Sequence, residues 1–308
     1  MKVGFIGLGT MGASIALNAI RGNHSLTVYD VNQTAAKPHL DLGAVWAASP
    51  KAVAAESEVV FTSLPGPREI EEVALGEYGL IDGLSEGSAY FDLSTNSPTK
   101  MRQLHARFQE KGVEVMDAPV SGGPEGARTG KMAIWVGGDE ATFKRFEPVL
   151  HSMADAARYI GPIGSGSIAK LVHNLSGYII QTGLAEAFTM GVKAGLAPDK
   201  LWEALRQGAY GRRRTFDTLH RHFLPGAFDP PDFVSALALK DVALACELGR
   251  EFDVPMKLAN ITLAEMTEAI NRGWGKLDSR VAMRLQSERA GVEIKVDPRR
   301  LEEILERD

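Results

Sequence analysis

A short apolar run, Val3, Phe5 and Ile6, leads straight into Gly7-Leu8-Gly9-Thr10-Met11-Gly12, and eighteen residues after the last glycine comes Asp30. No other feature constrains the fold of this chain as strongly. The run predicts a buried strand, and Met11, Ile15, Leu17 and Ile20 recur at helical spacing behind it. Three glycines between a strand and a helix allow a tight turn, close approach of backbone to a pyrophosphate, and close packing of helix on strand. Gly7, Leu8, Gly9, Thr10, Met11 and Gly12 are therefore expected to hold dinucleotide phosphates at the positive end of a helix. Leu26–Tyr29 predicts a second strand that ends at Asp30. A carboxylate there accepts hydrogen bonds from the adenosine ribose and repels a 2′-phosphate. NAD is thus favoured over NADP, which stays the alternative.

At 308 residues the chain is long enough for two domains. Its 34 basic and 39 acidic residues leave a net charge of −5, which argues against nucleic acid or an anionic membrane as the main partner. The one cysteine, Cys246, excludes an intrachain disulfide framework and suits a reducing compartment. A strand and glycines occupy the place where a signal peptide has its apolar region, and no apolar run reaches membrane-spanning length. A cytoplasmic protein is expected. The seven histidines lack zinc-binding spacing, so no metal is expected. His220 and His222 are expected at the surface, and Trp46, Trp135, Trp202 and Trp274 in the core or an interface.

The first half alternates apolar runs with helical patterns. Strands are expected at Val3–Ile6, Leu26–Tyr29, Val59–Ser63, Ala89–Asp92, Val113–Asp117 and Met132–Val136. This rhythm predicts an α/β fold with a mostly parallel, doubly wound sheet. The loops after the third, fourth and fifth strands begin at Leu64-Pro65, Leu93-Ser94-Thr95 and Ala118-Pro119. Ligands bind outside the carboxyl ends of such strands, so these loops should surround one crevice. The texture changes at Gly161-Pro162-Ile163-Gly164-Ser165-Gly166. A helix of roughly 28 residues, about 42 Å, is expected from Ser167 to Ala194, stopping at Gly195. The division expected is a dinucleotide-binding Rossmann domain over 1–163 and an all-α substrate and dimerisation domain over 164–308.

Lys170 and Asn174 lie four apart on that helix and share a face. A lysine beside an apolar nicotinamide pocket loses hydration, which lowers its pKa and lets it exchange a proton with a hydroxyl near neutral pH. Asn174 can donate and accept, so it can fix a hydroxyl or carboxylate. Taken alone, the pair also fits a solvated helix face.

Four motifs complete a resemblance: Gly7-x-Gly9-x-Met11-Gly12, Asp117-Ala118-Pro119-Val120-Ser121-Gly122-Gly123, Gly161-Pro162-Ile163-Gly164-Ser165-Gly166 and Lys170-x-x-x-Asn174. In this order they resemble the β-hydroxyacid dehydrogenase family, which includes 3-hydroxyisobutyrate dehydrogenase and tartronate semialdehyde reductase. The resemblance runs from Lys2 to about Gly273. It implies a long helix that bridges two domains and packs in a homodimer or homotetramer. It implies oxidation of a small 3-hydroxy acid, or the reverse reduction of its semialdehyde. By this likeness Lys170 is the general acid/base. Ser121, Gly122 and Gly123 bind the substrate carboxylate, and Asn174 the hydroxyl or carboxylate. Leu64 and Pro65 line the cofactor, Thr95 contacts it near the nicotinamide ribose, and Lys240 of the Lys240-Asp241 pair reaches its side of the cleft. Phe233 would stand near the active site.

Two segments depart from a simple hydroxyisobutyrate enzyme. Arg212-Arg213-Arg214 reads either as an anion site for a second acidic group or as an exposed basic helix end. Phe228-Asp229-Pro230-Pro231-Asp232 stiffens the approach to Phe233. Two other readings compete. An imine reductase shares the architecture but typically lacks the lysine, and a non-catalytic dinucleotide-binding module would need neither Lys170 nor Asn174. The side chain of the substrate and the direction of flux are not legible in the sequence.

Overall fold

The computed structural model describes residues 1–208, 210–213, 217–251, 253 and 255–306, without the side chains of 186, 187, 190 and 213. The chain divides into two compact units, Met1–Val172 and His173–Asp308. The cut falls inside one long helix.

The first unit is built on nine strands: β1 (Lys2–Ile6), β2 (Ser25–Tyr29), β3 (Val45–Trp46), β4 (Val59–Thr62), β5 (Ala89–Asp92), β6 (Glu114–Asp117), β7 (Val120–Ser121), β8 (Ala133–Gly137) and β9 (Ala156–Gly161). They form one sheet in the order β3-β2-β1-β4-β5-β6-β8-β7, with β9 added to β8. Pairing is parallel from β3 through β6, and β8 runs antiparallel to β6 and β7. The central strands read as unbroken apolar runs because helices cover both faces. Alternate residues therefore enter different cores. Phe5, Phe61 and Phe91 pack on one side, and Ile6, Val60 and Tyr90 on the other. Phe61 and Phe91 lie 5.2 Å apart between ring centres, and Phe146 meets Phe91 edge-on at 5.9 Å.

The covering helices are α1 (Gly12–Arg21), α2 (Lys37–Leu40), α3 (Pro50–Ala55), α4 (Pro67–Leu75), α5 (Pro98–Gln109), α6 (Gly123–Thr129) and α7 (Glu140–Met153). Their starts are written locally. Ser49, Ser97 and Asp139 each accept the N–H of the third residue of the helix that follows, and proline opens α3 and α5.

The six expected strands are all present, shifted by a residue at some ends. Sequence reasoning missed β3, β7 and β9. The first two are only two residues long, and β9 is half exposed, with Arg158 outside and Ala157 inside, so none makes an apolar run.

The long helix, α8 (Ser165–Lys193), starts two residues earlier than expected. Leu196 N–H reaches back to Gly191 O at 3.2 Å beyond its end, a closure that runs through Gly195. The second unit continues with α9 (Pro198–Gln207), α10 (Ser235–Glu251), α11 (Lys257–Asn271), α12 (Arg284–Arg289) and α13 (Pro298–Glu306). Trp202, Phe188, Phe223 and Leu301 form one core; Ala238, Val242, Cys246 and Met266 form another. Trp202 is fully buried, while Trp46, Trp135 and Trp274 are half-buried. His222 corrects the surface expectation. It is 7 % exposed, with Nδ1 2.8 Å from Ala227 O and Nε2 3.2 Å from Asp232 and 3.5 Å from Asp278. Its carboxylate partners also meet Arg221 and Arg280, which makes the group an ion-pair cluster. His220 is likewise partly buried, against the Trp202 ring. No helix among the described residues is long and apolar enough to cross a membrane.

Candidate active site

Because β1, β4, β5 and β6 are parallel neighbours, their C-terminal loops share one edge of the sheet. The glycine loop leaves β1 there. Gly7 has φ +91°, and a Cβ on it would lie 2.3 Å from Ser63 O. A Cβ on Gly12 would lie 1.9 Å from Gly7 O. These two glycines serve the protein's own packing. Gly9 is different: it is exposed, and a Cβ there would meet nothing within 4 Å. The open glycine sits before α1, which no side chain caps. This is the arrangement that admits a pyrophosphate against bare backbone, so the residues present fit a dinucleotide.

Asp30 stands beside this loop. Its Oδ2 accepts Leu8 N–H at 2.6 Å and its Oδ1 accepts Asn32 N–H at 2.8 Å. The carboxylate is thereby held at the mouth of the glycine turn.

The next loops hang on Asp92, which is 1 % exposed at the end of β5. Its Oδ1 accepts Thr62 Oγ1–H and Ser94 N–H, both at 3.0 Å, and its Oδ2 accepts Asn96 Nδ2–H at 3.2 Å. Ser94 Oγ in turn accepts Leu64 N–H at 2.9 Å. One buried carboxylate thus ties the Leu64-Pro65 loop to the Thr95 loop. Burial pushes the Asp92 carboxyl up in pKa, and the bonds from Ser94, Thr62 and Asn96 oppose that rise.

Asp117 occupies the matching place on β6. Gly164, which precedes α8, has no side chain to cap the helix. Asp117 supplies the cap from elsewhere, with Oδ1 accepting Gly164 N–H at 2.7 Å and Oδ2 accepting Ser167 N–H at 2.5 Å. Burial raises its pKa from 3.8 to about 6, against the pull of those two N–H bonds. Lys170, half-buried, follows Ser167 by one helical turn. Ser121, in β7, follows Asp117 by four residues and pairs with Ala133 of β8. It is half-buried, while Gly122 and Gly123 are exposed, and a Cβ on Gly123 would meet nothing within 4 Å.

The remaining expected residues lie in the second unit. Asn174 Nδ2–H donates to Asp241 Oδ2 at 2.6 Å, and Lys240 Nζ stands 3.0 Å from Asp241 Oδ1. Asp241 is 2 % exposed. A carboxylate only accepts, so it decides which way the Asn174 amide points. Phe233 is half-buried, its N–H held by Asp278 Oδ2 at 3.1 Å, and it packs on the core that also meets Leu175 and Tyr178. Arg212 Nε–H donates to Gln207 O at 3.0 Å; the Arg213 side chain and Arg214 lie outside the described residues.

The structure therefore brings together Gly7–Gly12 and Asp30, and separately joins Leu64 to the Thr95 loop. It joins Asn174 to Lys240 through Asp241. Sequence reasoning missed Asp92, Asn96 and the capping role of Asp117. A signal existed, since an acidic residue closing a wholly apolar strand must find donors inside the fold.

A family model described as the NAD binding domain of 6-phosphogluconate dehydrogenase matches residues 2–161, and one described as the NAD-binding domain of NADP-dependent 3-hydroxyisobutyrate dehydrogenase matches 164–286. The chain is similar to 2-(hydroxymethyl)glutarate dehydrogenase of Eubacterium barkeri, 31% identical over 96% of this chain and 97% of that protein. It is 30% identical to the NAD-dependent L-serine dehydrogenase of Pseudomonas aeruginosa, over 92% of this chain and 97% of that protein. Among solved structures, a 3-hydroxyisobutyrate dehydrogenase from Salmonella typhimurium superposes with a TM-score of 0.82 at 28% identity, covering 92% of this chain and 99% of that one.

Proposed function

The chain belongs to the β-hydroxyacid dehydrogenase family, and on that premise we propose that it interconverts a small 3-hydroxy acid and its semialdehyde, with Lys170 as the general acid/base. A nicotinamide dinucleotide is its cofactor. We take NAD over NADP because the Asp30 carboxylate is pinned at the glycine turn, where it would meet ribose hydroxyls and repel a 2′-phosphate. The observation that carries the reading is the Asp117 clamp, which ties the start of the Lys170 helix to the strand end that leads into Ser121–Gly123.

The named substrates of the relatives share one unit. 2-(Hydroxymethyl)glutarate, L-serine and 3-hydroxyisobutyrate each carry a hydroxymethyl group on the carbon next to a carboxylate. That unit is the substrate class we assign here. The dinucleotide, when bound, supplies hydride acceptance and donation. The chain does the rest. Ser121, Gly122 and Gly123 hold the carboxylate, partly through backbone N–H groups, and so orient the reacting carbon. Lys170 Nζ, neutral, takes the hydroxyl proton on oxidation; protonated, it returns the proton on reduction. Asn174, its amide oriented by Asp241, holds the hydroxyl or carboxylate. Leu64, Pro65, Thr95 and Lys240 serve the cofactor. Positioning is the larger share of the catalysis, as the cofactor carries the bond chemistry. A homodimer or homotetramer goes with this reading, supported by the exposed apolar side chains of Ile180, Leu258 and Ile261.

The test is absorbance at the reduced-nicotinamide band with NAD or NADP and a panel of 3-hydroxy acids that includes a dicarboxylate. Turnover with NAD is expected. Lys170→Ala should lower kcat by about 10²- to 10⁴-fold while leaving dinucleotide affinity nearly intact. Silence across the panel, or an alanine variant as fast as the parent, would overturn the reading. Turnover of cyclic imines instead would move the chain to the imine reductases.

A further inference from the structure

The buried carboxylate of Asp117 stands at the junction of two elements that the proposed reaction needs held together. Its main chain leads through Pro119 into Ser121. Its side chain bonds the N–H groups of Gly164 and Ser167, the residue before α8 and the third residue of that helix. The packing around this junction leaves no slack. A Cβ on Gly166 would lie 2.3 Å from Trp135 O, 2.6 Å from Asp117 O and 3.0 Å from Pro119 Cδ. A Cβ on Gly137 would lie 2.5 Å from Asp117 Oδ1 and 2.9 Å from Ser165 N. The start of the helix is pressed against the strand ends, and one carboxylate bonds two of its N–H groups. Lys170 is three residues on, about 4.5 Å along the axis.

We propose that Asp117 is a positioning residue for the reaction, its carboxylate fixing where Lys170 stands relative to the Ser121–Gly123 loop. The inference rests on the reading of Lys170 as the general acid/base. The physical reason is leverage: the carboxylate-binding loop is referenced to the Asp117 backbone and the lysine to its side chain. A misplacement of about 1 Å at a reacting group costs up to about 10²-fold in rate.

The experiment compares Asp117→Asn with Lys170→Ala and the parent. Rates are counted per dinucleotide-binding site, so that misfolded protein does not enter. The amide of Asp117→Asn keeps the shape but presents one acceptor where two are used. The expected result is a kcat lower by about 10- to 100-fold, with KM for the hydroxy acid and Kd for the dinucleotide within about threefold of the parent. The deuterium isotope effect on kcat should also rise as the transfer step slows. A merely structural role would lower the thermal midpoint and the number of sites while leaving kcat per site and the isotope effect unchanged. That outcome, beside an inactive Lys170→Ala, overturns this inference alone. An active Lys170→Ala overturns the underlying reading as well. Hydrogen exchange on the parent enzyme gives a second check that needs no variant. The Gly164 and Ser167 amides should be among the protected ones, and rapid exchange at both would overturn the proposal.

Discussion

Asp92 and Asp117 are Cα partners across β5 and β6, two carboxylates side by side at the ends of parallel strands, each 1 % exposed. Each is surrounded by donors that the fold brings to its strand end. Asp92 accepts from Thr62, Ser94 and Asn96, and Ser94 in turn holds Leu64; Asp117 binds the start of α8. A buried charge is tolerable only when donors replace its water, so each carboxylate imposes order on the loops that supply them.

Asp92→Ala should therefore damage the cofactor loops more than its loss of volume suggests. It strips acceptors from Thr62, Ser94 and Asn96 at once. A loss of about 2–4 kcal/mol in stability is expected, with weaker dinucleotide binding. Chemical denaturation and a binding titration would show both.

Asp117 should leave a signature in the pH dependence of stability. Its pKa is raised from 3.8 to about 6 by burial. The folded state then binds the proton more tightly than the unfolded one. The contribution of this group is therefore most favourable below about pH 4, falls as pH rises towards 6, and is flat above. The span is about 3 kcal/mol. Urea titrations from pH 4 to 7 on the parent and Asp117→Asn should differ by a slope of this sign in that window, and no slope difference would refute it.

The glycines of the first turn should separate folding from binding. Gly9→Ala enters open space, so the thermal midpoint should hold while dinucleotide affinity falls. Gly12→Ala puts a methyl 1.9 Å from a backbone oxygen, so the fold itself should lose about 2 kcal/mol or more. Calorimetry with and without dinucleotide distinguishes the two.

Asp30→Arg should shift preference from NAD towards NADP by roughly 10- to 100-fold in the ratio of kcat/KM, since it removes a ribose acceptor and adds a phosphate partner. A parent enzyme that prefers NADP would refute the assigned role of Asp30.

The sequence by itself determined the alternation of strand and helix, the glycine turn with its acidic partner, and the long helix carrying Lys170 and Asn174. These follow from local rules: apolar period, glycine geometry, capping and spacing. Short or half-exposed strands such as β3, β7 and β9 left no such trace, because their pairing rather than their composition makes them strands. Tertiary structure alone decided the polar wiring. Asp117 caps a helix 47 residues away, Asp92 gathers two loops from neighbouring strands, Asp241 orients Asn174, and His222 is drawn inside between Asp232 and Asp278. Such bonds depend on which donors the fold carries to a buried acid. Spacing along the chain does not encode that choice, and desolvation enforces it only once the strands have paired.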